Sequence, residues 1–137
     1  MPSFSDKSAS RLATCHPDLR AVLEEVIKYR DCTIIEGVRT VEQQTEYVRT
    51  GKSRTMASKH LVQPDGWSHA VDVAPWPIDW EDHNRFSFFA GYVAAVADAM
   101  LVAGTIGHRI RWGGDWDSDG NIREHSFSDK PHFELVP

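Results

Sequence analysis

Cysteine is scarce in this chain: Cys15 and Cys32 are the only two among 137 residues. Two thiols so placed make neither a disulfide framework nor a cysteine-based zinc site, and they fit a reduced, cytosolic chain. A long basic run is also missing: 15 Lys and Arg against 20 Asp and Glu leave a formal net charge of -5. Binding to phosphate backbones needs clustered cations, so nucleic acid is not an expected partner. The N-terminal Met-Pro-Ser-Phe-Ser-Asp-Lys-Ser has no apolar signal core. The most apolar stretch, Phe88 to Gly104, is interrupted by Asp98 and reads as too short for a membrane span. No internal repeat, low-complexity tract or interdomain linker is visible. What remains, 41% hydrophobic and 26% charged, has the balance of a folded domain. The length predicts one domain over residues 1–137, soluble and without an export signal.

Pro17 followed by Leu19, Val22, Leu23, Val26 and Ile27 predicts a helix running to about Tyr29. Cys32-Thr-Ile-Ile-Glu-Gly-Val38 reads as a β-branched strand. Thr40 and Gln43 match a capping box that starts a second helix ending before Gly51. Residues 51–68 carry glycine, proline, serine and lysine without a period, which predicts a long loop. His69 to Ala74 is strand-like and is closed by Pro75 and Pro77. Phe86, Phe89, Ala90, Val93, Val96, Ala97 and Met100 mark a third, buried helix stopped at Gly104. Arg109–Trp112 and Pro131–Val136 are two more short strands. The expected fold is α+β, a small antiparallel sheet packed with about three helices.

Seven histidines offer metal ligands, and strand geometry helps choose among them. Side chains alternate faces along a strand, so His69 and Asp72 point to opposite sides. Asp72 shares its face with Ala70 and Ala74, small neighbours that leave room for an ion. His132 shares a face with Glu134 on the last strand. If these strands pair, Asp72 and His132 meet across the sheet. A third ligand then comes from a loop, and His60 is best placed. Three ligands with one open position is the pattern of a catalytic zinc site.

Ser58-Lys-His60, Ala70-Val-Asp72 and Asp129-Lys-Pro-His132, in that order, resemble the LAS-type zinc peptidases. That group includes D-Ala-D-Ala carboxypeptidases and dipeptidases, phage L-alanyl-D-glutamate endopeptidases and the hedgehog fold. Gly37-Val-Arg39-Thr40, Trp112-Gly-Gly-Asp115-Trp116 and the terminal His132-Phe-Glu134-Leu-Val136 are similar to small single-domain phage endolysins. The resemblance runs from about residue 9 to the end. One departure stands out: eleven residues separate His60 from Asp72, a longer spacer than the pattern usually has. The extra Val62-Gln-Pro-Asp-Gly-Trp-Ser segment reads as a loop insertion, which costs little. His69 is the alternative ligand, opposed by its strand face.

The resemblance implies that His60, Asp72 and His132 hold Zn²⁺, with Asp129 as general base and then acid to the leaving amine. It implies that Arg39 binds a substrate carboxylate or polarises the scissile carbonyl. Ser58 would orient the loop or the substrate, and Glu134 would support a ligand from behind. The implied activity is hydrolysis of the L-Ala–D-Glu bond of bacterial peptidoglycan by a phage endolysin, without a separate wall-binding domain. That economy suits a phage of a Gram-negative host. The enzyme, expected to be monomeric, would accumulate in the host cytoplasm and need a holin-type membrane permeabiliser to reach the periplasm and wall. Rival readings are a D,D-carboxypeptidase or D-Ala-D-Ala dipeptidase, and a zinc-containing hedgehog-like binding module. The first usually has Glu where Asp129 stands, and the second predicts a missing base.

Asp115, Asp117 and Asp119, with Gly120 at the sixth place, follow the first two-thirds of an EF-hand loop. They are candidate ligands for a regulatory Ca²⁺. Ser126 stands at the twelfth place, where a bidentate Glu belongs, although Glu124 is close. An acidic hairpin turn is the competing reading.

Overall fold

The computed structural model describes residues 2–115, 118 and 129–137. The chain folds as α1 (Asp6–Leu12), α2 (Pro17–Val26), β1 (Cys32–Glu36), α3 (Val41–Arg49), β2 (Ala70–Pro75), α4 (His83–Val102), β3 (Arg109–Trp112) and β4 (His132–Val136). The four strands form one antiparallel sheet in the order β1-β2-β4-β3. The α+β class is therefore as expected, with one helix more than the sequence pattern predicts.

That extra helix is α1, seven residues of mostly polar sequence with no apolar stripe to announce it. Ser5 caps its N-terminus, its hydroxyl accepting from Ser8 N at 3.1 Å. A helix this short is marginal alone, and tertiary bonds hold it. Ile34 N donates to Ser8 Oγ at 3.1 Å, and Arg11 Nη1 donates to Ile34 O at 3.0 Å. Helix α2 ends at Val26 rather than Tyr29, its last carbonyls taken up by tighter turns through Lys28 and Tyr29. Helix α3 has the predicted capping box, with Thr40 and Gln43 each bonding the other's backbone.

Strand β1 stops two residues short of Val38, and its register against β2 shifts between Ile34 and Glu36. Gly37 explains the stop. Any Cβ there would overlap the Arg11 carbonyl and the Thr14 hydroxyl, so only glycine lets the chain pass this close to the end of α1. Helix α4 starts at His83, before the stretch read from the sequence. At 20 residues and mean hydropathy 1.4 it is, by length and composition, long and apolar enough to cross a membrane, which corrects the expectation. Here Phe86, Phe89, Ala90, Val93 and Ala97 line its buried face, against α2 and the sheet. Both cysteines are free and buried, and burial pushes their thiols up to about 11 (Cys15) and about 12 (Cys32).

Candidate metal centre and active site

Strand pairing sets out a row of side chains at one level of the sheet. Glu36 on β1 lies opposite Asp72 on β2, and Asp72 lies opposite His132 on β4. The strands do pair, and Asp72 meets His132 across them, as the sequence allows if the two are neighbours. His60 reaches the same point from the loop after α3. Its backbone is tied on both sides, with Arg39 N donating to His60 O at 2.8 Å and His69 N donating to Lys59 O at 2.9 Å. Ser58 closes a local turn, its hydroxyl accepting from His60 N at 3.2 Å. The longer spacer therefore leaves His60 in place.

The three inward atoms make a near-equilateral triangle. His60 Nε2, Asp72 Oδ1 and His132 Nδ1 are each 3.2 Å from the other two. Ligands in a tetrahedral zinc shell with bonds of about 2.0–2.1 Å stand about 3.3 Å apart, so the triangle fits such an ion.

The outward ring nitrogens fix the tautomers. His60 Nδ1 lies 2.7 Å from Gly37 O; a carbonyl only accepts, so Nδ1 carries a proton, and Nε2 faces inward. His132 Nε2 lies 2.8 Å from Glu134 Oε1. Arg111 Nη2 donates to the same carboxylate at 2.7 Å. Burial works against ionising Glu134, but the bonds from His132 and Arg111 outweigh it and pull its pKa down to about 2. Glu134 is therefore an acceptor, and His132 turns Nδ1 inward.

Burial also opposes the charge on Asp72, yet bonds from His132 and His60 hold its carboxyl well below the usual range. Burial likewise disfavours protonated His132, but Asp72 and Glu134 prevail and push its pKa up to about 9. A proton on Nδ1 and a metal ion are alternatives at that atom, so a bound ion would displace the proton.

Asp129 stands beside the triangle and outside it. Its Oδ2 is 3.9 Å from His132 Nδ1. Burial, then the negative charge of Asp72, raise its pKa, while His132, His60 and Arg39 pull it back. Gly113 makes this position possible, because a Cβ there would overlap the Asp129 carbonyl. In its place Asp129 N donates to Gly113 O at 2.8 Å and His132 N donates to Asp129 O at 3.1 Å.

Arg39 is 9% exposed and more committed than the sequence suggests. Its Nε and Nη2 both pair with Glu36, and Nη1 donates to Gln44 Oε1 at 2.6 Å. The guanidinium lies 4.5 Å over the Tyr47 ring, and Tyr47 OH donates to Glu36 Oε2 at 3.2 Å. Three of its five N–H groups are thus taken. Glu36, Gln44 and Tyr47 escaped the sequence reading, although a glutamate in an otherwise apolar strand was a visible signal.

His69 faces away from the triangle. Its Nε2 pairs with Asp65 Oδ2 at 2.7 Å, and its ring packs edge-on against His16. Of the candidate calcium ligands, Asp117 and Asp119 lie outside the described residues. Asp115 closes the turn after β3, its N donating to Trp112 O at 3.0 Å.

Residues 2–136 match the family described as phage L-alanyl-D-glutamate peptidase. The chain is 32% identical over 145 residues to the L-alanyl-D-glutamate peptidase of Escherichia phage T5, covering 97% of each chain. It superposes on the crystal structure of the Serratia marcescens L-Ala D-Glu endopeptidase ChiX with a TM-score of 0.74 and 30% identity. That match covers 98% of this chain and 90% of the other.

Proposed function

The chain belongs to the phage L-alanyl-D-glutamate peptidase family, and from that premise we propose how its residues cleave the L-Ala–D-Glu bond of peptidoglycan stem peptides. His60, Asp72 and His132 would hold a zinc ion. The observation that carries this is the 3.2 Å triangle of inward atoms, with the outward ring nitrogens anchored on Gly37 O and Glu134. A bound zinc ion supplies Lewis-acid polarisation and lowers the pKa of a water towards ~7.

Asp129 takes the proton of the attacking water at a carboxylate oxygen, then delivers it to the leaving nitrogen of D-Glu. Its raised pKa suits a group that must both accept and return a proton. Arg39 holds the free carboxylate of the D-Glu unit with the two N–H groups that Glu36 and Gln44 leave over. Ser58 keeps His60 in position. Glu134 fixes the His132 tautomer and keeps its ring aimed.

The names carried by the relatives are those of the L-Ala–D-Glu enzyme, not of the D,D-carboxypeptidase or dipeptidase alternative. A phage endolysin of this kind acts on the wall after a holin-type partner opens the inner membrane, and we take it to work as a monomer. The calcium reading of Asp115, Asp117 and Asp119 rests on their spacing alone. It fails if calcium titration leaves both turnover and melting temperature unchanged.

The direct test is mass spectrometry of muropeptides after digestion of purified sacculi, with and without a chelator. New N-terminal D-Glu on stem peptides, lost on chelation, is the expected result. Cleavage within the glycan, or insensitivity to the chelator, overturns the reading.

A further inference from the structure

Beside Asp129 lies a pocket of about 370 Å³, lined by Trp80, His83, Phe86, Asp129, Lys130 and Pro131. This volume is within the range of small-ligand sites, and the proposed catalytic base forms part of its wall. Trp80 stacks on Phe86, with ring centroids 5.5 Å apart and planes 22° from parallel. Phe86 is buried, whereas Trp80 remains 50% exposed. One face of the indole is therefore backed by the core and the rest is open.

A flat apolar platform rimmed by polar groups suits the C–H face of a pyranose ring. The local charge separates this ligand from the other end of the substrate. Asp79, Glu81 and Asp82, all exposed, sit in the segment around Trp80. They disfavour the carboxylates of D-Glu and of the later stem residues, but not a neutral amino sugar. The cation lining the pocket, Lys130, has its ammonium over the Trp112 ring at 5.6 Å.

Topology supplies the direction. Arg39 follows β1, and Asp129, Lys130 and Pro131 of the pocket lead into β4, so the sheet order β1-β2-β4-β3 puts Asp72 on β2 between the two strands. An anionic end at Arg39 leaves the neutral end for Trp80. In the stem, the sugar lies one L-Ala and one lactyl unit from the scissile carbonyl, a span of ~7 Å when extended.

We infer that the pocket formed by Trp80, Phe86 and Asp129 is a subsite for the N-acetylmuramoyl sugar that bears the stem peptide. This rests on the reading above that Asp129 acts at the L-Ala–D-Glu bond. The enzyme then reads the glycan end of its substrate as well as the peptide.

The test compares kcat/KM on a muropeptide with that on the same stem peptide lacking the sugar. Wild type prefers the muropeptide by roughly tenfold. Trp80→Ala erases that preference, with the loss falling on the sugar-bearing substrate, and Trp80→Phe restores most of it. Equal losses on both substrates, or no wild-type preference, overturn the proposal. A measurement that needs no variant uses N-acetylmuramoyl-L-alanine as a competitor of sugar-free cleavage. It inhibits more strongly than N-acetyl-L-alanine; equal inhibition overturns the subsite. Product masses report the bond cut, so failure of the L-Ala–D-Glu assignment is read separately from failure of the sugar preference.

Discussion

Two histidine–aspartate clusters lie in this small fold, and they differ in what holds their ring nitrogens. In one, His60 Nε2, Asp72 Oδ1 and His132 Nδ1 face a common point, 3.2 Å apart. The other gathers His16, His69 and His108 with Asp18 and Asp65, and by proximity alone it too offers metal-ligand sets. Its rings are as crowded, with centroids 4.9 to 6.1 Å apart. Yet His69 Nε2 lies 2.7 Å from Asp65 and His108 Nδ1 lies 2.7 Å from Asp18. Those are hydrogen-bond distances, with a proton between the partners. His16 Nδ1 accepts from Asp18 N at 2.9 Å and so caps α2. Its neutral ring then carries its proton on Nε2, the atom nearest Asp65. Outward acceptors, Gly37 O for His60 and Glu134 for His132, set the first cluster apart from the second.

Loss of a triangle member should have the largest effect. Asp72→Ala should abolish zinc binding and reduce turnover to that of the chelated enzyme, measured by metal content and sacculus digestion. Next comes Asp129→Asn, which should retain zinc and lose ~10²–10⁴ in kcat. Loss of zinc instead would move Asp129 from proton carrier to ligand. Glu134→Gln leaves the ligands in place but weakens the hold on the His132 proton, so metal affinity or activity should fall ~10–100-fold.

The smallest effect belongs to the other cluster. Asp18→Asn should leave zinc content and activity unchanged and cost about 1 kcal/mol of stability near neutral pH, seen by denaturant unfolding. Burial pushes the Asp18 carboxyl up, but the bonds from His108 and Gly107 N bring it below its ordinary value. A carboxyl lowered in the folded state stabilises above its unfolded pKa of about 3.9, and that stability fades as pH falls through the folded value. Wild type and Asp18→Asn should therefore converge in acid and separate above pH ~4.

Much of the first cluster was legible because strand faces repeat every two residues. Asp72 and His132 could be paired from alternation, and the capping box at Thr40 and Gln43 predicted α3. The parts that escaped depend on contacts distant in sequence. Helix α1 has no apolar stripe and is held by bonds to Ile34. The clamp on Arg39 needs Glu36, Gln44 and Tyr47 brought together by the turn from β1 into α3. The cluster of His16, His69 and His108 joins three segments that no local pattern connects, and Trp80 sits in a loop whose spacing says nothing of the pocket it lines.

Only the cluster whose outward ring nitrogens are anchored on Gly37 O and Glu134 should take up zinc. A crystal grown with one equivalent of zinc, measured on both sides of the zinc absorption edge, tests this directly. A single anomalous peak between His60 Nε2, Asp72 Oδ1 and His132 Nδ1 is the expected result. A peak among His16, His69 and His108, or none at the triangle, would contradict it.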